Sequence, residues 1–169
     1  MNLSVFFVLL SLVLVFGETY FRFFVDTTDS FALNKITRRW EKRHYQFNNY
    51  HWRDNVDYQL SKPKGRVRIT FMGDSFTAGH GIKNVDQRFT NIVRKNHPDW
   101  EVHTLASNGF ETDDIFETLQ QSSKIGYETD LIVLVYNLND ISWLSPEART
   151  IYSRIFSFNE QLSHIERES

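Results

Sequence analysis

Val67-Arg68-Ile69-Thr70-Phe71-Met72-Gly73-Asp74-Ser75-Phe76-Thr77 is the stretch that decides the fold. The apolar run over 66–72 reads as a buried strand. Gly73-Asp74-Ser75 then turns out of it toward a helix. A serine in such a turn has its hydroxyl exposed, and the first N–H groups of the following helix can meet an anion. Ser75 is therefore the candidate nucleophile of the chain.

The pattern stays regular downstream. Residues 86–96 read as a helix, with Phe89, Ile92 and Val93 at helical spacing, and His97-Pro98-Asp99 stops it. Residues 101–106 form a second strand. Thr112 can cap a helix carrying Ile115, Phe116 and Leu119, which Gly126 ends. Leu131-Ile132-Val133-Leu134-Val135-Tyr136 is nearly continuous apolar sequence, as expected of a strand buried on both faces. Pro146 suits the first turn of a last helix. Strands alternating with helices predict an α/β fold, a three-layer α/β/α sandwich around a flavodoxin-like parallel sheet joined by right-handed crossovers.

The chain has 169 residues, enough for one domain plus extensions. Its net charge of −2 does not imply nucleic acid as a partner. It has no cysteine, which excludes disulfides, thiol catalysis and thiolate metal sites. Between Leu3 and Phe16 only Ser4 and Ser11 are polar. That run is shorter than a span of about 20 residues and nearer the core of a signal peptide. Tyr20-Phe21-Arg22-Phe23-Phe24-Val25 extends it as a tilted span with an aromatic belt. No Lys or Arg precedes the run, unlike a signal peptide, and Val15-Phe16-Gly17 is a weak cleavage site. The expected organisation is a hydrophobic helix that is a membrane anchor or signal over 1–25, a basic, aromatic extension and linker over 26–65, and the α/β domain over 66–169. Lys35, Arg38, Arg39, Lys42 and Arg43 share one helix face. That face reads as solvated, with attraction to anionic lipid as the alternative. Were the face cytoplasmic, the positive-inside rule would hold the rest of the chain inside the cell. Ser61-Lys62-Pro63-Lys64-Gly65 carries the linker signal.

In an open parallel sheet, sites form at the carboxyl ends of the strands. Three predicted strands here end in Gly73-Asp74-Ser75, in Ser107-Asn108-Gly109 and in Asn137-Leu138-Asn139-Asp140. Acyl transfer needs a nucleophile and donors aimed at a developing oxyanion. Ser75 supplies the first. The Ser75 N–H, the Gly109 N–H and the Asn139 side-chain amide are candidate donors, and glycine at 109 lets a substrate approach the backbone closely.

These turns resemble three sequence blocks of the SGNH, or GDSL, serine hydrolases. Gly73-Asp74-Ser75-Phe76 is similar to the first block. Asn108-Gly109-Phe110-Glu111-Thr112 is similar to the second, whose glycine donates to the oxyanion. Asn137-Leu138-Asn139-Asp140 is similar to the third, Gly-x-Asn-Asp, whose first asparagine is the side-chain donor. Asn48 to Asp54, ending Trp52-Arg53-Asp54, also resembles an Asn-x-x-Gly-Phe-Arg-Asp element that precedes the first block in some bacterial members. The resemblance covers about residues 48–143.

It implies a serine ester hydrolase in which Ser75 attacks and Gly109 and Asn139 stabilise the oxyanion, with no metal and no organic cofactor. The substrate would be a small-molecule, lipid or glycan ester. Family analogy places the domain outside the cytoplasm, tethered to the membrane or secreted after signal cleavage. Three departures stand out. His51 occupies the glycine position of the upstream element, and Asn137 that of the third block. The Asp-x-x-His block that supplies the base has no counterpart, because no histidine here has an Asp three residues before it. His164 comes too early and lacks that carboxylate. The expectation is a chain truncated before that block, with the C-terminal part of the sheet missing. Two other readings use the same residues: an acyltransferase acting on a glycan, and a non-catalytic membrane-tethered remnant.

Other residues have plainer readings. Asp74 caps the helix after it. His80, between Gly79 and Gly81, reads as an exposed loop histidine, with lining the pocket as the alternative. His97 and His103 are a helix stop and a strand position. Asp113, Asp114 and Glu117 are first-turn acids favoured by the helix dipole. Trp100 and Trp143 belong to the core or a pocket wall.

Overall fold

A computed structural model describes residues 3–28, 35–137, 146–147 and 150. The chain divides into two compact units, Met1–Arg43 and His44–Ser169. The boundary therefore falls inside the predicted 26–65 extension and not at the predicted linker.

In the first unit, α1 (Leu3–Phe23) is a 21-residue helix with no buried residue. At about 1.5 Å per residue it is long enough to cross a bilayer core of about 30 Å, and its composition also fits a signal sequence. The basic helix forms as α2 (Lys35–His44). Its face is not wholly solvated. Arg39 Nη1 donates to the Val25 carbonyl at 3.1 Å, and its Nη2 to that of Arg22. Arg43 pairs with Asp26 at 2.8 Å. Cations thus meet the carboxyl end of α1, where unpaired carbonyls favour positive charge.

The second unit is mixed α/β around a three-stranded parallel sheet. The strands are β1 (Val67–Gly73), β2 (Trp100–Ala106) and β3 (Leu131–Val135), in the order β2-β1-β3. Their pleat sorts the core in two. Ile69, Phe71 and Val102 pack on one face with Val93 of α4 (Phe89–Asn96). Met72 and Leu105 pack on the other with Tyr58 and with Ile115 and Leu119 of α5 (Thr112–Lys124). Each such side chain contributes about 1.5–3 kcal/mol by leaving water.

Several boundaries differ from expectation for local reasons. The helix predicted over 86–96 breaks into a 3-10 turn, Val85–Gln87, and α4. Arg88 between them is extended, which carries its guanidinium inward to the Arg53 carbonyl at 2.6 Å and to Asp54 at 3.0 Å. Thr112 is the first residue of α5 and not its cap. Glu111 is the cap, and its N–H donates to Asp114 at 2.9 Å. β3 is not buried on both faces: Leu131, Ile132, Leu134 and Tyr136 are exposed. It has a hydrogen-bonded neighbour only on its β1 side among the described residues. The segment 61–65 is tied to the sheet. The buried Arg68 guanidinium donates to the carbonyls of Leu60, Ser61 and Glu128 at 2.7–2.9 Å and to Glu101 at 2.7 Å. The predicted last helix at Pro146 lies largely outside the described residues, as does Trp143.

Candidate functional site

The sheet register assembles the site. Gly73 is level with Ala106 on β2 and with Val135 on β3. The turns after β1 and β2, and the chain leaving β3, therefore emerge at one sheet edge. Gly73 is required there by close approach. A Cβ on it would lie 2.2 Å from Thr77 Oγ1 and 2.8 Å from the Val135 carbonyl oxygen. Asp74 caps α3 (Ser75–Ala78), its carboxylate accepting the Phe76 N–H at 3.0 Å. Ser75 is the first residue of α3 and is half-buried. Asp74 also accepts Asn137 Nδ2 at 2.9 Å, so the first turn is bonded to the end of β3.

Gly109 lies in the turn after β2 with φ +78°, in the left-handed region that glycine enters without penalty. Ser75 and Gly109 thus stand at the same edge. Asn139 and Asp140 lie outside the described residues, as does His164. Among the described residues no group of three or more acidic or imidazole side chains gathers in a way that could hold a metal ion.

The upstream element braces this edge. Asn48 Oδ1 accepts the N–H groups of Tyr50 and Trp52, each at 3.0 Å, closing a tight loop. His51 in that loop has φ +61°, the one non-glycine residue with positive φ among those described. That conformation favours glycine over a residue with a side chain. The Arg53 guanidinium donates to the carbonyls of Ala78, Gly79 and Ile82, and so fixes the segment that follows Ser75. Asp54 is 1% exposed and accepts from Arg88, Arg94 and Tyr58. Burial alone would raise its pKa, but the hydrogen bonds and charge of Arg94, helped by Tyr58 and Arg88, hold it down to about 2. The same cluster closes the outer edge of β2. Arg94 donates to the Val102 carbonyl at 2.6 and 2.9 Å, and the Thr104 N–H donates to Tyr58 Oη at 2.9 Å. Side chains take the place of a neighbouring strand there.

His80 is half-buried and not an exposed loop residue. Its Nδ1 lies 3.2 Å from Tyr45 Oη and 3.1 Å from Asn108 Nδ2, while Tyr45 Oη donates to Asn108 Oδ1 at 3.0 Å. The Tyr45 ring in turn covers Arg53, whose Cζ is 4.1 Å from the ring centre. Sequence reasoning missed Tyr45, Arg88 and Arg94. Each acts through a partner at least 34 residues away, and no local spacing marks such a contact.

A concavity of about 530 Å³ is lined by Thr70, Met72, Leu105, Leu119, Tyr127 and Ile132, among others, and by neither Ser75 nor Gly109. No family model, characterised protein or solved structure matches the chain.

Proposed function

We propose that the unit beginning at His44 is a serine ester hydrolase of the SGNH type. Its fold would be a three-layer α/β/α sandwich on a flavodoxin-like sheet. The observation that carries this reading is the register of Gly73 with Ala106 and Val135, which brings three motif-bearing strand ends to one edge. In the proposed reaction, Ser75 Oγ attacks the ester carbonyl. The Ser75 and Gly109 N–H groups and the Asn139 amide receive the oxyanion. The alcohol leaves with a proton, and water then releases the acid from Ser75. The substrate is a small-molecule, lipid or glycan ester. Helix α1 would tether the protein to a membrane with this unit outside the cytoplasm. Protease protection in spheroplasts reads that orientation.

A second reading is a non-catalytic tethered protein with the same arrangement. Labelling by a fluorophosphonate separates the two. If Ser75 is nucleophilic, the full chain in detergent micelles is labelled and its Ser75→Ala form is not. Equal labelling of both forms overturns the hydrolase reading. Loss of one member of a catalytic group costs several orders of magnitude in rate, so the comparison has ample range.

A further inference from the structure

Lys35, Arg38 and Lys42 fall at i, i+3 and i+7 of α2, so one stripe of the helix carries all three. All three are exposed, and none has a hydrogen bond or ion pair among the described residues. Glu41, the only acid of α2, lies off that stripe. The neighbouring arginines are engaged elsewhere. Arg39 donates to the Val25 and Arg22 carbonyls, and Arg43 pairs with Asp26. Thr37, buried with Trp40, donates from Oγ1 to the Thr27 carbonyl at 3.2 Å. These bonds seat α2 against the chain leaving α1 and fix its rotation, with the stripe outward. Depth then decides what the stripe meets. Tyr20, Phe21, Phe23 and Phe24, around the carboxyl end of α1, are exposed. In a spanning helix such an aromatic belt settles at the headgroup level. The Arg39 bonds hold α2 within the reach of one arginine side chain of that level. Attraction to a charged surface extends about 8–10 Å at physiological salt, so the stripe feels the bilayer without pointing straight at it.

We propose that Lys35, Arg38 and Lys42 form a docking stripe for the phosphate headgroups of anionic lipids, which lays α2 on the bilayer beside the anchor. This rests on the reading of α1 as a membrane tether and is independent of the ester-hydrolase reading of Ser75. Arg38 can hold a lipid phosphate with two N–H donors, while the two lysines act as point charges. The tether thereby gains a preference for anionic over zwitterionic membrane.

The test uses the full chain in nanodiscs of phosphatidylcholine alone and of phosphatidylcholine with about 30% phosphatidylglycerol. Amide exchange over α2 is the readout, and it should be at least about tenfold slower in the anionic bilayer. In about 1 M NaCl, where the screening length is about 3 Å, the two rates should converge. Replacing all three cations together (Lys35→Gln, Arg38→Gln, Lys42→Gln) should erase the difference. The charge-keeping pair Lys35→Arg and Lys42→Arg should preserve it. Each protein is compared with itself in the two bilayers, so a change in the intrinsic stability of the helix cancels. Equal exchange in both bilayers for the unaltered chain overturns the proposal, as does a difference that survives the salt or the triple substitution. Extraction of the unaltered chain from vesicles by alkaline carbonate fails the tether reading, and the proposal with it. Retention with exchange that ignores lipid charge fails the proposal alone.

Discussion

Asn137 Nδ2 donates to Asp74 Oδ1 at 2.9 Å, joining the end of β3 to the residue that caps the serine turn. Asp74 is buried, and its carboxylate also accepts the Phe76 N–H. The asparagine that departs from the third block of the resembled family thus has a structural task that glycine cannot perform. Asn137→Ala should lower stability by about 1–2 kcal/mol through the lost bond. Urea titration of the full chain in micelles measures it, and an unchanged midpoint would contradict the role.

Gly73→Ala should be worse. Its Cβ would meet the Val135 carbonyl oxygen at 2.8 Å, and backbone cannot rotate away as a side chain can. Overpacking of this kind costs about 1–3 kcal/mol. The strain falls where β1 meets β3, so amide exchange in β3 should quicken more than in β2. Uniform exchange across both strands would sink the argument.

His51 makes the opposite case. A side chain at φ +61° costs about 1–2 kcal/mol, which glycine avoids at some loss of chain entropy. His51→Gly should therefore raise stability, by about 0.5–1 kcal/mol net. The side chain is exposed, so little packing is forfeited. A destabilised variant would show that the imidazole makes a contact worth more than the strain.

The strands and the turns after the first two were legible because each rests on local chemistry, apolar runs ending in Gly, Asp, Ser or Asn. The positions of Ser75 and Gly109 in those two turns followed for the same reason. The break at Arg88 was not legible. Its neighbours fit a helix, and only the distant carboxylate of Asp54 makes an extended residue preferable. The exposure of β3 escaped for a related reason. An apolar run reports what a strand is suited to, while its coverage depends on elements elsewhere in the chain. His80 looked like loop because glycines flank it, and its environment comes from Tyr45 and Asn108, both remote in sequence.

Asp54→Asn tests the brace beneath the site. It would leave Arg88 and Arg94 facing a neutral amide in the interior, and breaking a buried pair on one side costs about 3–5 kcal/mol. Asp54→Asn combined with Arg88→Met should recover part of that loss, because one stranded charge goes with it. Strictly additive losses would show that the two residues do not act together.

Stability should also fall with acid in two windows. His103 lies against Tyr58, with ring centres 3.8 Å apart, and its Nδ1 meets Tyr127 Oη at 2.8 Å. Burial, then the charges of Arg68 and Arg94, lower its pKa to about 3, with Asp54 opposing. Glu101 lies 3.4 Å from Nε2 but does not reverse this, because it is already paired with Arg68. The unfolded chain takes up the proton at the ordinary histidine value of about 6.5. Between those limits the unfolded state binds more protons, so the contribution of His103 is full above the upper limit and lost as pH falls. Asp54 adds its own loss only as pH drops from its ordinary value of 3.8 toward about 2. Unfolding free energies at pH 7, 5.5 and 4 should decline in the unaltered chain and decline less in His103→Gln, whatever that variant loses at neutral pH. Parallel declines would mean that His103 is not the group being protonated.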